Sequence, residues 1–265
     1  MASFTLHTQS LGQGEETVVF LHGLFGQGKN FTQIAKALPP DYRSVLVDLP
    51  NHGASDWTEE FSYTEHADLV ADHLRGTEGT PVHVVGHSMG GKVAMLLALR
   101  HPELVRSLVV VDISPVARED MGEFDHLLSS LLSLDLDALE SRGEADEQLR
   151  EPIPEAMIRG FLLQSLTKDS DGLRWKSNLQ LLHSSLPQIG GFPDLDDQAE
   201  YTGPVLWVAG ENSDYVQDEY APVMRQLFPR VFQTTIKKAG HWVHSEQPQV
   251  FTEVLARFLA GQQDT

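Results

Sequence analysis

The sequence contains no cysteine at all. That absence removes disulfides, thiol nucleophiles and cysteine-ligated metal centres, and leaves the 12 histidines as the softest ligands available. Basic side chains are scarce too: 19 lysines and arginines face 38 acidic residues, for a formal net charge of -19. Such a chain repels nucleic acid and anionic membrane surfaces, so neither is an expected partner. No apolar run approaches the roughly 20 residues that cross a bilayer. Met1 to Gln13 also lacks the basic start and apolar centre of a secretion signal. A cytoplasmic protein is therefore expected.

The acidity is uneven. Between Glu119 and Glu155 lie twelve acidic residues against only Arg142 and Arg150, a pattern read first as a solvated helix face. With only seven lysines in the chain, adaptation to salty surroundings is a second reading, which loss of stability in high salt would contradict.

What is present suits one substantial core: 265 residues, 41% of them hydrophobic. Short β-branched runs recur at Thr17 to Leu21, Ser44 to Leu49, Val82 to Val85, Leu108 to Val111, Val205 to Ala209 and Val231 to Ile236. Their near-continuous apolarity predicts strands buried on both faces. Helical patterns lie between them, at Asn30 to Leu38, Tyr63 to Arg75, Lys92 to Arg100, Glu219 to Phe228 and Pro248 to Leu259. The alternation predicts an α/β fold with a doubly wound, mostly parallel sheet, whose reactive groups follow the carboxyl ends of its strands.

The rhythm breaks between Pro115 and Gly203, where strand signals vanish and amphipathic helices take over. The chain thus divides into a first core part (1–115), an inserted helical cap (116–202) and a second core part (203–265). Phe124, Leu127, Leu128, Leu131 and Leu132 share one helical face of the insertion, and Met157, Ile158, Phe161, Leu162 and Leu166 share another. Both faces are read chiefly as packing, with a few residues left to line a cavity between cap and sheet.

Gly86-His87-Ser88-Met89-Gly90 carries the chemistry. A serine between glycines at a strand-to-helix junction can occupy a sharp turn that lifts its hydroxyl clear of the sheet. That hydroxyl needs a base, and the base needs an orienting acid. His241, in Ala239-Gly240-His241-Trp242 after the last strand, is the expected base, and His244 is expected to face a helix start or solvent. Zinc held by His241 and His244 is the rival idea, disfavoured because no carboxylate-histidine signature accompanies the pair, so no metal and no cofactor are expected.

The acid has two candidates. Asp112 stands just past Leu108 to Val111, on the strand next to the one leading to Ser88. Asp214 follows the strand Val205 to Ala209, but lies one residue late, because the usual acid position there holds Ser213. Asp112 is preferred, with Ser213 as an auxiliary hydrogen-bond partner of the histidine. For the oxyanion, the expected donors are the backbone N–H groups of Met89 and of Leu24, in the turn His22-Gly23-Leu24-Phe25-Gly26. Phe25 and Trp242 are expected to touch substrate, and Leu24 and Phe25 to shape an acyl pocket. His22, His52 and the Asp48-to-Ser55 turn read as loop bracing, and Lys92 is given no role in the site.

These motifs, together with Asn51-His52-Gly53, Asp112-Ile113-Ser114-Pro115 and Gly240-His241-Trp242-Val243-His244, resemble those of the α/β-hydrolase superfamily. Within it they are similar to the bacterial YbfF-type esterases and their mitochondrial relatives. The resemblance implies cofactor-independent hydrolysis of small to medium acyl esters, supports Asp112 as the acid with Ser213 nearby, and makes a small-molecule acyl ester the expected partner. An acyl thioesterase or a carbon-carbon bond hydrolase would use the same residues. Acyl-coenzyme A is disfavoured, since its phosphates would meet an acidic chain without an evident basic cluster. Haloalkane dehalogenases and epoxide hydrolases place an aspartate where this chain has Ser88. A ligand-binding protein without catalysis is the expectation from a different class.

Overall fold

The computed structural model describes residues 4–78, 81–170, 172–196 and 198–262. Its main sheet is built from seven strands in the order β1-β3-β2-β4-β5-β8-β9. They are β1 (Thr8–Leu11), β2 (Glu16–Leu21), β3 (Tyr42–Val47), β4 (Val82–His87), β5 (Val105–Val111), β8 (Val205–Gly210) and β9 (Val231–Ile236). Only β1 runs antiparallel to its neighbour.

Alternate residues of the central strands feed two separate cores. Val19, Leu21, Val84, Val110 and Trp207 pack on one face, against α2 (Tyr63–Thr77), α3 (Met89–Arg100) and α9 (Ala221–Leu227). Val18, Phe20, Val85, Val109 and Val208 pack on the other, against α1 (Thr32–Ala37) and α11 (Pro248–Ala260), with α10 (Val243–Glu246) just before it. On α11, Phe251, Leu255 and Leu259 are fully buried, four residues apart. Each such side chain contributes about 1.5–3 kcal/mol by leaving water, and the spacing keeps all three on one stripe of the helix.

Register sets the site. Leu21 pairs with Gly86, His87 with Val111, and Val111 with Val208, so the strands end level with one another. The residue after each end therefore emerges at one rim.

The structure departs from the sequence reading in four places. First, β1 went unseen because its residues are half-exposed and polar. Second, the segment between β5 and β8 is not purely helical: beside α4 (Gly122–Leu132), α5 (Arg142–Gln148), α6 (Ala156–Leu162), α7 (Leu179–Ser184) and α8 (Leu186–Gly190) it holds the antiparallel hairpin β6 (Leu166–Asp169) and β7 (Gly172–Trp175). Leu166 thus belongs to a strand, and Met157, at 84% exposure, packs outward. Third, β9 closes the sheet as an edge strand, and its Phe232 is 64% exposed. Fourth, two helices begin as 3-10 turns, at Gly28–Phe31 and Asp218–Tyr220.

The segment between β5 and β8 is not a separate body. Its Leu127, Leu128, Leu131, Leu162 and Leu182 join the same apolar cluster as α2 and α3. Lys92 ties the two together.

Candidate active site

Ser88 follows β4 directly and precedes α3, with φ 51° and ψ -120°. A non-glycine residue rarely adopts that left-handed backbone, and here it is held by Ser88 N–H donating to Val111 O at 3.0 Å. The flanking glycines are steric necessities. A Cβ on Gly86 would lie 2.3 Å from Gly90 O, and one on Gly90 would lie 2.4 Å from His22 O.

Asp112 is the equivalent residue of β5, also left-handed at φ 50°, and fully buried. Its Oδ1 accepts from Gly210 N–H at 2.8 Å, and its Oδ2 accepts from Ser213 Oγ and from His241 Nδ1, the latter at 2.8 Å. Ser88 Oγ donates to His241 Nε2 at 2.9 Å. One continuous hydrogen-bond chain therefore links Asp112, His241 and Ser88, with the N–H on Nδ1 fixed by the carboxylate.

The loop that presents His241 is braced from both sides. Glu246 accepts from Gly240 N–H at 2.8 Å and from Trp242 N–H at 3.3 Å, and His87 Nε2 donates to His241 O at 2.8 Å. Tyr215 lies flat on the imidazole with ring centres 4.0 Å apart. The Arg118 guanidinium covers the Tyr215 ring, 4.3 Å from its centre. Burial pushes the Tyr215 phenol up to about 12.

Other sequence candidates fall elsewhere. Asp214 directs both carboxylate oxygens to Arg118, at 3.0 and 3.1 Å, and is not hydrogen-bonded to His241. Arg118 holds its carboxyl below the usual aspartate range. Ser213 binds the aspartate and not the histidine, because its hydroxyl points back under the β8 loop towards β5. His244 is buried, not facing solvent: it stacks on Phe31 at 4.5 Å and lies edge-on to His87. Both ring nitrogens of His241 are engaged, so the two histidines do not form a ligand pair. His22 accepts from Leu49 N–H at Nε2 and reaches Gly23 O from Nδ1, bracing the turn. Asp48 likewise ties its loop, accepting from Gly28 N–H and Ala54 N–H.

Met89 opens α3, where a helix leaves its first N–H groups without intrahelical acceptors. Leu24 lies opposite, in a turn closed by Gly26 N–H to Gly23 O at 2.9 Å. A Cβ on Gly23 would be 3.2 Å from Ser88 Cβ, so this turn runs directly beside the serine.

Two cavities meet at Ser88. The larger, about 1190 Å³, reaches outward past Phe25, Phe161, His241 and Trp242. Lys29 and Lys36 stand along it as well, and Lys29 feels Lys176 and Arg142, which with burial lower its pKa. Glu155 and Glu246 line the same cavity, so its wall carries both signs of charge. The smaller cavity, about 30 Å³, runs the other way and includes Tyr63, Lys92, Met121, Arg118 and Tyr215.

Sequence reasoning left Tyr215, Phe124 and Lys92 out of the site. Lys92 is buried at 2% exposure, and its Nζ donates to the carbonyls of Ile189, Gly190 and Gly191 at 3.3, 2.7 and 2.5 Å. Burial pulls its pKa down to about 7. A lysine amid a run of buried helix residues was the available signal.

Known proteins share this fold. Residues 16–248 match the family model described as alpha/beta hydrolase fold. The mouse protein named "sn-1-specific diacylglycerol lipase ABHD11" is 39% identical over 249 residues, covering 92% of this chain and 80% of its own. "Esterase YbfF" of Escherichia coli is 30% identical over 242 residues, covering 91% and 92%. The solved "Marine microorganism esterase" superposes with a TM-score of 0.93 at 31% identity, over 97% of this chain and all of that one. With the family model spanning most of its length and these relatives matching nearly end to end, the chain belongs to the alpha/beta hydrolase fold family, alongside the YbfF-type esterases and their ABHD11 relatives.

Proposed function

We propose that this chain is a serine ester hydrolase that cleaves small to medium acyl esters through an acyl-enzyme, with residues 116–202 as its cap. The observation that carries the reading is the hydrogen-bond chain from Asp112 Oδ2 through His241 to Ser88 Oγ, at 2.8 and 2.9 Å. The names of the mouse and E. coli relatives, a lipase and an esterase, support the ester-hydrolase part of it.

Ser88 Oγ attacks the ester carbonyl while its proton passes to His241 Nε2, and the carbonyl π pair moves onto oxygen. The N–H groups of Leu24 and Met89 receive that oxyanion. Asp112 stabilises the imidazolium at Nδ1 and keeps the ring oriented. As the carbonyl re-forms, the bond to the alkoxy oxygen breaks and Nε2 returns its proton to the departing alcohol. Water then repeats the sequence on the acyl-enzyme and releases the carboxylic acid. The chemistry needs no group beyond these side chains and amides.

Turnover of p-nitrophenyl esters, and its fall by roughly 10⁶-fold in Ser88→Ala, is the expected result. An acyl group trapped on any residue other than Ser88 would overturn the reading. Wild-type protein that binds an ester tightly and turns over none would favour a noncatalytic receptor.

A further inference from the structure

The two cavities at Ser88 differ in size by well over an order of magnitude, at about 30 and about 1190 Å³. Leu24, Ser88 and Phe124 border both, so the Phe124 ring, stacked on Phe25 at 6.2 Å, is the partition between them. His241 borders only the larger. Resting on the ester-hydrolase reading above, we infer that the small cavity is the acyl-chain site and limits this enzyme to acyl groups of about two to four carbons, while the large cavity takes the alcohol.

The directions of the tetrahedral intermediate decide which cavity holds which half. One substituent is Ser88 Oγ, and a second is the oxyanion, directed at the Leu24 and Met89 amides. A third is the leaving oxygen, which must come within hydrogen-bond reach of His241 Nε2 to be protonated. This places the alcohol in the cavity that His241 borders. The acyl carbon takes the one direction left, away from the imidazole. There the small cavity opens, screened from His241 by the Tyr215 ring.

Its size then sets chain length. A space of about 30 Å³ has room for only a few heavy atoms, so about one to three carbons beyond the carbonyl fit and a long chain does not. The back wall cannot easily yield. Lys92 pins the carbonyls of Ile189, Gly190 and Gly191, and Met121 packs so closely on Gly190 that a Cβ there would lie 3.1 Å from Met121 Cγ. Met121 is the flexible part of the wall, and Phe124 is the door to the larger space.

The test is kcat/KM for p-nitrophenyl esters from acetate to decanoate, on the wild type, Met121→Ala, Phe124→Ala and Ser88→Ala. A companion series uses acetates of alcohols from ethyl to naphthyl. The wild type should prefer acetate to butyrate, lose about 10-fold per methylene once the cavity is full, and accept the bulky acetates within a few-fold. Met121→Ala should move the break to longer chains, and Phe124→Ala should remove it by opening the partition. Circular dichroism and a thermal melt report that each variant is folded, and if Phe124→Ala is not, Met121→Ala decides. Wild-type cleavage of octanoate as fast as butyrate, or an unchanged profile in Met121→Ala, would overturn the assignment while leaving the esterase reading intact. Turnover that survives Ser88→Ala would instead sink that reading.

Discussion

The two walls of the site are held by different physics. On the sheet side Asp112, Ser88 and the His241 loop are each held by polar contacts: Gly210 N–H and Ser213 Oγ on Asp112, Val111 O on Ser88 N–H, and Glu246 under the His241 loop. On the insertion side Phe124, Met121 and Ile189 present apolar surface, and the buried Lys92 anchors the end of α8 beneath them. Hydrogen bonds constrain distance and direction, whereas apolar packing fixes volume and is indifferent to direction. The sheet wall therefore sets what reaction is possible, and the insertion wall sets what can undergo it.

Breaking the sheet wall should cost most. Asp112→Asn keeps the shape but offers an amide to Nδ1, and activity should fall by about 10⁴-fold. Asp214→Asn, which disturbs only a surface pair with Arg118, should change kcat by no more than a few-fold; a larger loss there than in Asp112→Asn would reverse the assignment of the acid. Anchoring of the insertion wall is tested by Lys92→Met. Ile189 O then keeps the Tyr63 O–H and Gly190 O the Arg118 N–H, while Gly191 O loses its Lys92 donor, and stability should drop by about 2 kcal/mol, read as a lower denaturation midpoint.

A third test uses pH. Burial lowers His22 and His83 to about 4, His52, His66 and His244 to about 3, and His87 well below its ordinary value. All six lie on the sheet side. In the unfolded chain they titrate near 6.5, so above that pH both states are neutral and stability is at its fullest. Below it the unfolded chain takes up protons that the folded chain refuses, and each histidine removes about 1.4 kcal/mol per pH unit down to its folded value. Thermal melts should thus show Tm falling steeply between pH 6.5 and 4, and a flat profile across that window would contradict the buried, neutral assignment. A modest effect is expected from Ser213→Ala, which removes one of the bonds to Asp112 and should reduce kcat about 10-fold with KM unchanged.

Legibility followed the range of the interaction. Ser88 could be read because a glycine-flanked turn between strand and helix is local, and Asp112 because a strand end is local too. The direction of the Ser213 hydroxyl was not, since it depends on how the β8 loop folds back over β5, more than a hundred residues away in sequence. Lys92 and Tyr215 were missed for the same reason: their partners, Gly190 and His241, are distant along the chain. The β6–β7 hairpin is a different kind of miss. Ser170-Asp171-Gly172 is a turn signal, but strands of four residues flanked by charge leave no alternation long enough to outweigh the helical spacing that leads into Leu166.

The position of Asp112 at the end of β5 has an evolutionary corollary. Asp112 and Ser88 are neighbours by strand register alone, so one alignment of β4 with β5 delivers both. Towards Asp112 the loop after β8 has a light duty, one hydroxyl from Ser213 beside the N–H of Gly210 that ends the strand, while its Tyr215 covers the His241 ring. Exchanges within residues 211–218 that keep Ser213 and Tyr215 therefore leave in place the carboxylate that accepts from His241 Nδ1, which makes the rest of this loop a graft point for reshaping the entrance to the site.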